Sequence, residues 1–170
     1  ESSFARSCGG LRHQFFTQTN VELSRYAIDF IKTQTNVGFT PNGYLMLFND
    51  NQRDDHDKSI AMQNACGANT QSLEPNELLK LFPQLNVDDV YRGCITTDDS
   101  EGWVDPVTLH NWFRSEAQIN GVKVVFEDGI TANHNDADAI VIASGCWSNA
   151  VGNAFNINIP VKGHKHTVYN

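Results

Sequence analysis

The segment spanning residues 137–148 constrains the fold most strongly, and it reads Ala-Asp-Ala-Ile-Val-Ile-Ala-Ser-Gly-Cys-Trp-Ser. Its apolar run has three consecutive β-branched residues and no alternation between apolar and polar positions. This pattern is typical of a strand that is buried on both faces of a parallel sheet. Such strands direct their carboxyl ends at a ligand crevice, and a glycine lets the backbone approach the ligand. The pattern alone also fits any buried strand of an α/β protein.

Charge and hydropathy exclude two classes of partner. Lys and Arg total 12 against 20 Asp and Glu, and the net charge of −8 argues against nonspecific nucleic-acid binding. No apolar run approaches the roughly 20 residues that a membrane-spanning helix needs, so we predict no transmembrane segment. The four cysteines never form Cys-x-x-Cys, which predicts free thiols in a reducing compartment. His164 and His166 lack a third ligand at a plausible position, so we predict no metal site.

Helical spacing and start signals predict the helices. Asn20 is a suitable N-cap for a helix that continues to Ile31, and Pro75 suits the first turn of a short helix. Asp105 followed by proline predicts the start of a third helix, which Gly121 ends. A further helix of modest quality follows the polar stretch 50–57 and ends at Gly67. Strands are predicted at Tyr44–Phe48, Val90–Thr96, Val122–Phe126 and around Ile140.

Several segments occur in the order found in the D-amino-acid-oxidase superfamily of FAD-dependent oxidoreductases. The segment 137–148 resembles the strand and turn that end the FAD-binding domain of that family. Residues 2–15 are similar to the segment with Ser-x-Gly-Gly-Ile-Arg in the sarcosine oxidase and dimethylglycine dehydrogenase branch, which includes mitochondrial FAD-dependent oxidoreductase domain proteins. The other matching segments are NVELSRYAIDFIK, NGYLMLF, LEPNELLKLFPQL, EGWVDPVTLHNWFRSEAQINGV and IPVKGHKHTVY.

The resemblance implies a mixed α/β fold, in which part of a Rossmann-like FAD-binding domain is interleaved with part of an antiparallel-sheet substrate domain. Residues 1–40 and 101–155 correspond to the flavin domain and 41–100 to the substrate domain, and 156–170 form a return strand to the substrate domain. The family's Gly-x-Gly-x-x-Gly turn is absent from this sequence, so we expect an internal fragment of a longer flavoenzyme. The family's hairpin between two strands is here reduced to residues 131–136, or residues are missing there.

The resemblance also assigns the residues that contact the cofactor. Arg12 supplies positive charge near the flavin or a substrate carboxylate, where a guanidinium can bind in a bidentate manner. The alternative interpretation of Arg12 is a surface arginine on a glycine turn. Ile130 is assigned to the adenine contact, and the alternative interpretation there is a buried strand residue. Asp105 is interpreted as a helix cap, and no catalytic base is identified. The flavin contacts are Gly9, Gly10, Leu11 and Arg12 near the isoalloxazine ring, Ile130 at adenine, and Ala143, Ser144, Gly145 and Trp147 along the ribityl-pyrophosphate.

Two functions of different class remain open. The first is an FAD-dependent oxidoreductase that oxidises the C–N bond of a secondary or tertiary amino acid such as sarcosine or dimethylglycine. The second is a non-catalytic structural or assembly subunit derived from this fold, in a complex such as mitochondrial respiratory complex I, with FAD lost. The expected partners are the remainder of the polypeptide or partner subunits, and a small amino-acid substrate if the protein is active. The expected location is the mitochondrial matrix side or the cytoplasm.

Overall fold

The computed structural model of the chain describes residues 3–131, 137–165 and 167. The chain divides into two units, Glu1–Gly121 and Val122–Asn170. The first unit combines helices with antiparallel strands, and the second contains a short helix. The predicted mixed α/β class is therefore confirmed. The assignment of segments to two interleaved domains stays a prediction.

Five short strands of the first unit form two antiparallel sheets. One sheet pairs β1 with β5, and in the other β4 lies between β2 and β3. Tyr44–Phe48 was predicted as a strand and pairs only from Met46 onward, whereas Val90–Thr96 pairs from Arg92 onward. The strands are β1 Gly10–Leu11, β2 Met46–Phe48, β3 Thr70–Leu73, β4 Arg92–Thr96 and β5 Gly102–Trp103.

The helices begin where local signals lie, with two shifts from the prediction. The first helix begins before Asn20, because Thr17 has the extended backbone of an N-cap although its side chain makes no capping hydrogen bond. The second begins early, because Asn49 and Gln52 form a reciprocal capping box around a short 3₁₀ turn. The helices are α1 Gln18–Lys32, α2 Arg53–Ala65, α3 Pro75–Leu81, α4 Pro106–Ile119 and α5 Ser148–Ala154, and the 3₁₀ turns are Phe4–Arg6, Asp50–Gln52 and Gly145–Trp147.

The helices α3 and α4 start as predicted. Both have proline at the first helical position, where its missing N–H costs no hydrogen bond. The Asp105 carboxylate accepts from the backbone N–H of Thr108 at 2.6 Å, and this bond lowers the pKa of Asp105. Gly121 follows α4 with a left-handed φ of 82°. Asp105 is therefore a helix cap in the structure.

A small apolar core connects α1, α4 and the β1–β5 sheet. Its fully buried members come from the end of α1, the following loop, the residue after β5 and the first turn of α4. Leu11 of β1 packs against this cluster, so the core fixes the position of the segment that precedes Arg12. The buried members are Ile31, Val37, Val104 and Leu109, and the partly buried ones are Leu11, Phe39 and Trp112.

Two predicted strands are not formed in the second unit. Neither Val122–Phe126 nor the segment around Ile140 is a hydrogen-bonded strand, and Val141 is 88% exposed. The prediction of a strand buried on both faces is therefore wrong for this structure. A strand requires a neighbour that accepts its backbone hydrogen bonds, and the described residues of this unit form none.

Two further predictions concern residues that the structure leaves undescribed. The shortened hairpin lies mainly at residues 132–136, outside the described residues. The return strand is predicted at 156–170, and the described part of this range, 156–165 and Thr167, contains no hydrogen-bonded strand. The remaining positions, 166 and 168–170, lie outside the described residues. Of the helices in the described ranges, none is long and apolar enough to cross a membrane.

Candidate functional site

The segment Gly9–Arg12 is held by β-pairing on one side of the arginine. Gly10 pairs with Trp103 and Leu11 with Gly102, and the Val104 N–H donates to the Gly9 carbonyl at 3.0 Å. Gly9 has a left-handed φ of 68°, and a Cβ there would overlap the Val104 carbonyl. This backbone therefore requires glycine at position 9.

Gly10 makes room for a neighbouring side chain. Its φ is not left-handed, but a Cβ at this position would overlap the hydroxyl of Tyr44. The missing side chain makes room for the Tyr44 ring, and burial raises the pKa of that phenol. The close approach that the sequence suggested for a ligand is thus made by a side chain of the protein itself.

Arg12 is half-buried and has weak contacts. Its Nη1 donates to the Gln14 carbonyl at 3.4 Å and lies 3.3 Å from Met46 Sδ. The guanidinium lies 4.7 Å from the centroid of the Phe15 ring, a cation–π distance. Among the residues that the structure describes, no carboxylate forms an ion pair with Arg12. A half-buried guanidinium without an acidic partner can bind an anion.

A buried carboxylate lies directly beyond Arg12. Glu101 is 0% exposed and its Oε1 accepts from the backbone N–H groups of His13 at 2.8 Å and Gln14 at 3.1 Å. Its Oε2 accepts from Gln14 Nε2 at 2.8 Å and from Thr96 Oγ1 at 3.4 Å. Burial of a carboxylate is costly unless several donors satisfy it, and here three of the four donors come from His13 and Gln14, directly after Arg12.

His13 is the second buried titratable group of this region. Its Nε2 lies 2.6 Å from Ser100 Oγ, whereas its Nδ1 is 3.6 Å from Glu101 Oε1 and has no hydrogen-bond partner. Burial lowers the pKa of His13, although the charges of Glu101 and Asp98 oppose the shift. Burial alone would raise the pKa of Asp98, but hydrogen bonds from Ser100 and Asn69 lower it.

Ser100, His13 and Glu101 have the residue types of a hydrolytic triad, which the sequence did not reveal. A triad requires a hydrogen bond from Nδ1–H of the imidazole to the carboxylate. That bond is not made here, because His13 Nδ1 lies 3.6 Å from Glu101 Oε1 and has no hydrogen-bond partner. The Ser100 hydroxyl also donates to Asp98.

The remaining predicted site residues lie in the second unit. Gly145 has a left-handed φ of 56° with no atom near its potential Cβ, so its backbone is open to a ligand. Ser144 Oγ lies 3.5 Å from Ser148 Oγ. Trp147 is 66% exposed, and Ala143 and Ile130 are also exposed, so the alternative of a buried residue at 130 is wrong.

The chain matches the DAO family of FAD dependent oxidoreductases over residues 2–169. The chain belongs to this family. Among similar proteins, the FAD-dependent oxidoreductase domain-containing protein 1 homolog of Drosophila melanogaster is 32% identical over 140 residues, which are 75% of this chain and 27% of that protein. Human mitochondrial sarcosine dehydrogenase is 24% identical over 156 residues, which are 79% of this chain and 17% of that enzyme. The chain spans about a quarter of the first relative's length.

The fold is shared with a solved enzyme structure. The crystal structure of L-proline dehydrogenase from P. horikoshii superposes with a TM-score of 0.72 at 20% identity. The match covers 92% of this chain and 46% of that enzyme. At this identity the likeness shows the fold alone.

Sequence reasoning found Arg12 but missed Glu101 and His13 as a pair. The two lie 88 positions apart in the chain, and no motif connects them. The one available signal was the Glu-Gly-Trp-Val-Asp-Pro run, which was interpreted only through its helix cap. Among the described residues, no group of three or more His, Cys, Asp or Glu could hold a metal ion.

Proposed function

We propose that the protein containing this chain oxidises the C–N bond of a small secondary or tertiary amino acid, such as sarcosine or dimethylglycine. The observation that carries the proposal is Arg12, a half-buried guanidinium without a described carboxylate partner, directly after a strand that begins with glycine. Sarcosine and proline are secondary amino acids, and enzymes named for both are similar to this chain. Each such substrate presents a carboxylate that Arg12 can bind.

FAD is the cofactor of the family, and the residues of the second unit fit it. The open backbone at Gly145 and the exposed ring of Trp147 suit contacts with an elongated cofactor. The assignment of Gly9, Gly10, Leu11 and Arg12 to the isoalloxazine ring rests on the family resemblance. When bound, FAD supplies the acceptor for the two electrons removed from the C–N bond. The nine predicted contacts stay predictions for this chain.

The chain's own residues bind and orient the substrate in this proposal. Arg12 holds the carboxylate, and Phe15 and Met46 restrict where the guanidinium can lie. Oxidation removes one C–H hydrogen with two electrons from the deprotonated amine, and water hydrolyses the resulting C=N bond, an imine from a secondary amine or an iminium from a tertiary one. No described residue is assigned as the base. Orientation is the contribution that this part of the protein makes.

The mitochondrial matrix side is the location we favour. The support is the similarity to an enzyme named mitochondrial sarcosine dehydrogenase. The expected partners are the rest of the polypeptide and the amino-acid substrate. The non-catalytic assembly role is the outcome that a negative test would favour.

The test replaces Arg12 in the full natural polypeptide that contains this chain. We expect Arg12→Gln to raise the KM for sarcosine roughly 10–100-fold, because a charge-assisted hydrogen bond to the carboxylate is lost. Lys58→Gln is the matched control, since it removes the same charge from a side chain that is 79% exposed. An unchanged KM would contradict the assignment of Arg12. Absence of flavin and of any turnover would favour the assembly role.

A further inference from the structure

Arg12 is anchored by its backbone on both sides. Before it, Leu11 pairs with Gly102 in the β1–β5 sheet. After it, the backbone N–H groups of His13 and Gln14 both donate to one oxygen of Glu101. Glu101 directly precedes β5, and its own carbonyl accepts from the Gly43 N–H at 3.1 Å. One short stretch, Glu101–Gly102, therefore holds the chain on either side of the arginine.

The side-chain contacts of Arg12 do not fix the position of its guanidinium by themselves. Its contacts within the described residues are a 3.4 Å bond to a carbonyl, a thioether and an aromatic face. When an arginine binds a ligand, its side chain loses rotamer freedom and its backbone loses conformational freedom. The total entropic cost of binding is smaller if the backbone is already fixed. The place of the guanidinium therefore depends on the backbone at His13 and Gln14.

We propose that Glu101 is a positioning residue that holds the backbone after Arg12 so that the guanidinium can bind a substrate carboxylate. The inference rests on the proposed function. Glu101 does not touch the substrate, because it is fully buried and both of its oxygens accept hydrogen bonds from the protein.

The variant Glu101→Gln tests the contact with little change in volume. Its oxygen can still accept from the His13 and Gln14 N–H groups, but its amide then opposes the Gln14 amide nitrogen. Rotation of the Gln14 amide would place its oxygen against the Tyr44 carbonyl, to which Gln14 Nε2 now donates at 3.2 Å. The buried contact thus cannot be fully remade, and the segment loosens.

The experiment measures acetate binding to the full natural polypeptide through the change it causes in the flavin absorbance. Acetate represents the substrate carboxylate. Wild type, Glu101→Gln, Arg12→Gln and the double variant form a cycle. We expect Glu101→Gln to weaken acetate binding roughly 10-fold in the wild type and to have no effect when Arg12 is already replaced. Glu22→Gln, an exposed site with the same charge change, is expected to keep wild-type affinity.

Hydrogen exchange supplies a readout that requires neither flavin nor turnover. The His13 and Gln14 amides are expected to exchange faster in Glu101→Gln under native conditions, while amides in the centre of α4 keep their rates. If Glu101→Gln does not fold, Gln14→Met removes the Nε2 donor to Glu101 Oε2, loosens the carboxylate that holds the two backbone N–H groups, and is expected to act in the same direction.

The outcomes separate the two proposals. Two results would overturn the positioning role and leave the proposed function intact. In the first, Arg12→Gln weakens acetate binding and Glu101→Gln does not. In the second, both variants weaken it and their effects add. Acetate binding unaffected by Arg12→Gln would overturn the proposed role of Arg12 and this inference with it. Non-additive weakening together with faster exchange at His13 and Gln14 is the supporting result.

Discussion

At the scale of single residues, Gly9 combines two requirements that can be separated experimentally. We expect Gly9→Ala to destabilise the protein by about 2 kcal/mol or more, because a side chain is unfavourable at φ 68° and its Cβ overlaps the Val104 carbonyl. Gly38→Ala is the matched control, since Gly38 has φ 72° with no atom within 4 Å of its potential Cβ. That variant carries only the conformational cost of about 1 kcal/mol. Denaturant unfolding measures both, and equal losses would contradict the overlap argument.

His13 makes stability depend on pH with a definite sign. Burial lowers its pKa from 6.5 in the folded state, so the unfolded state takes up a proton first as the pH falls. The free energy of unfolding is therefore fully retained above the unfolded-state pKa of 6.5 and decreases below it, until the folded-state pKa is passed. His13→Gln is expected to flatten the dependence between pH 7 and 5, as measured by urea unfolding. His110→Gln, which removes an exposed imidazole of α4, is the matched control. Equal slopes for wild type and His13→Gln would contradict this assignment.

At the scale of elements, the sequence predicts those helices and strands whose ends are determined by neighbouring residues in the chain. The helix α4 was predicted at its correct start, because Asp105 and the following proline specify it within four residues. The strands β1 and β5 were missed, since each has two residues and owes its conformation to a partner about 90 positions away. The strand around Ile140 was predicted from composition but did not form.

The same distinction applies to the site. Arg12 stood out because it follows two glycines, a local signal that the family resemblance strengthened. Glu101 lies 88 positions from His13, and nothing near it in sequence shows that it would be buried under four hydrogen-bond donors. A glutamate before a glycine is ordinarily a surface residue. The contact that positions the arginine therefore becomes visible only once the fold brings β1 and β5 together.

At the scale of the whole molecule, the second unit exposes apolar surface that we expect the rest of the polypeptide to cover. Phe126 is 81% exposed and Val141 is 88% exposed. Exposed apolar side chains favour association. Residues 1–170 produced alone are therefore expected to self-associate, with a broad thermal transition, as measured by light scattering and calorimetry.

A pair of lysines tests where that association originates. Phe126→Lys with Val141→Lys should strongly reduce self-association, because it adds charge to the surface we expect to be covered. Leu23→Lys with Tyr26→Lys adds the same charge to exposed positions of α1, which are 62% and 76% exposed, and should have little effect. Equal effects of the two pairs would indicate that net charge alone controls association. A monomeric wild-type chain with a sharp thermal transition would contradict the expectation that the rest of the polypeptide covers this surface. Phe126 and Val141 would then remain in water in a stably folded chain.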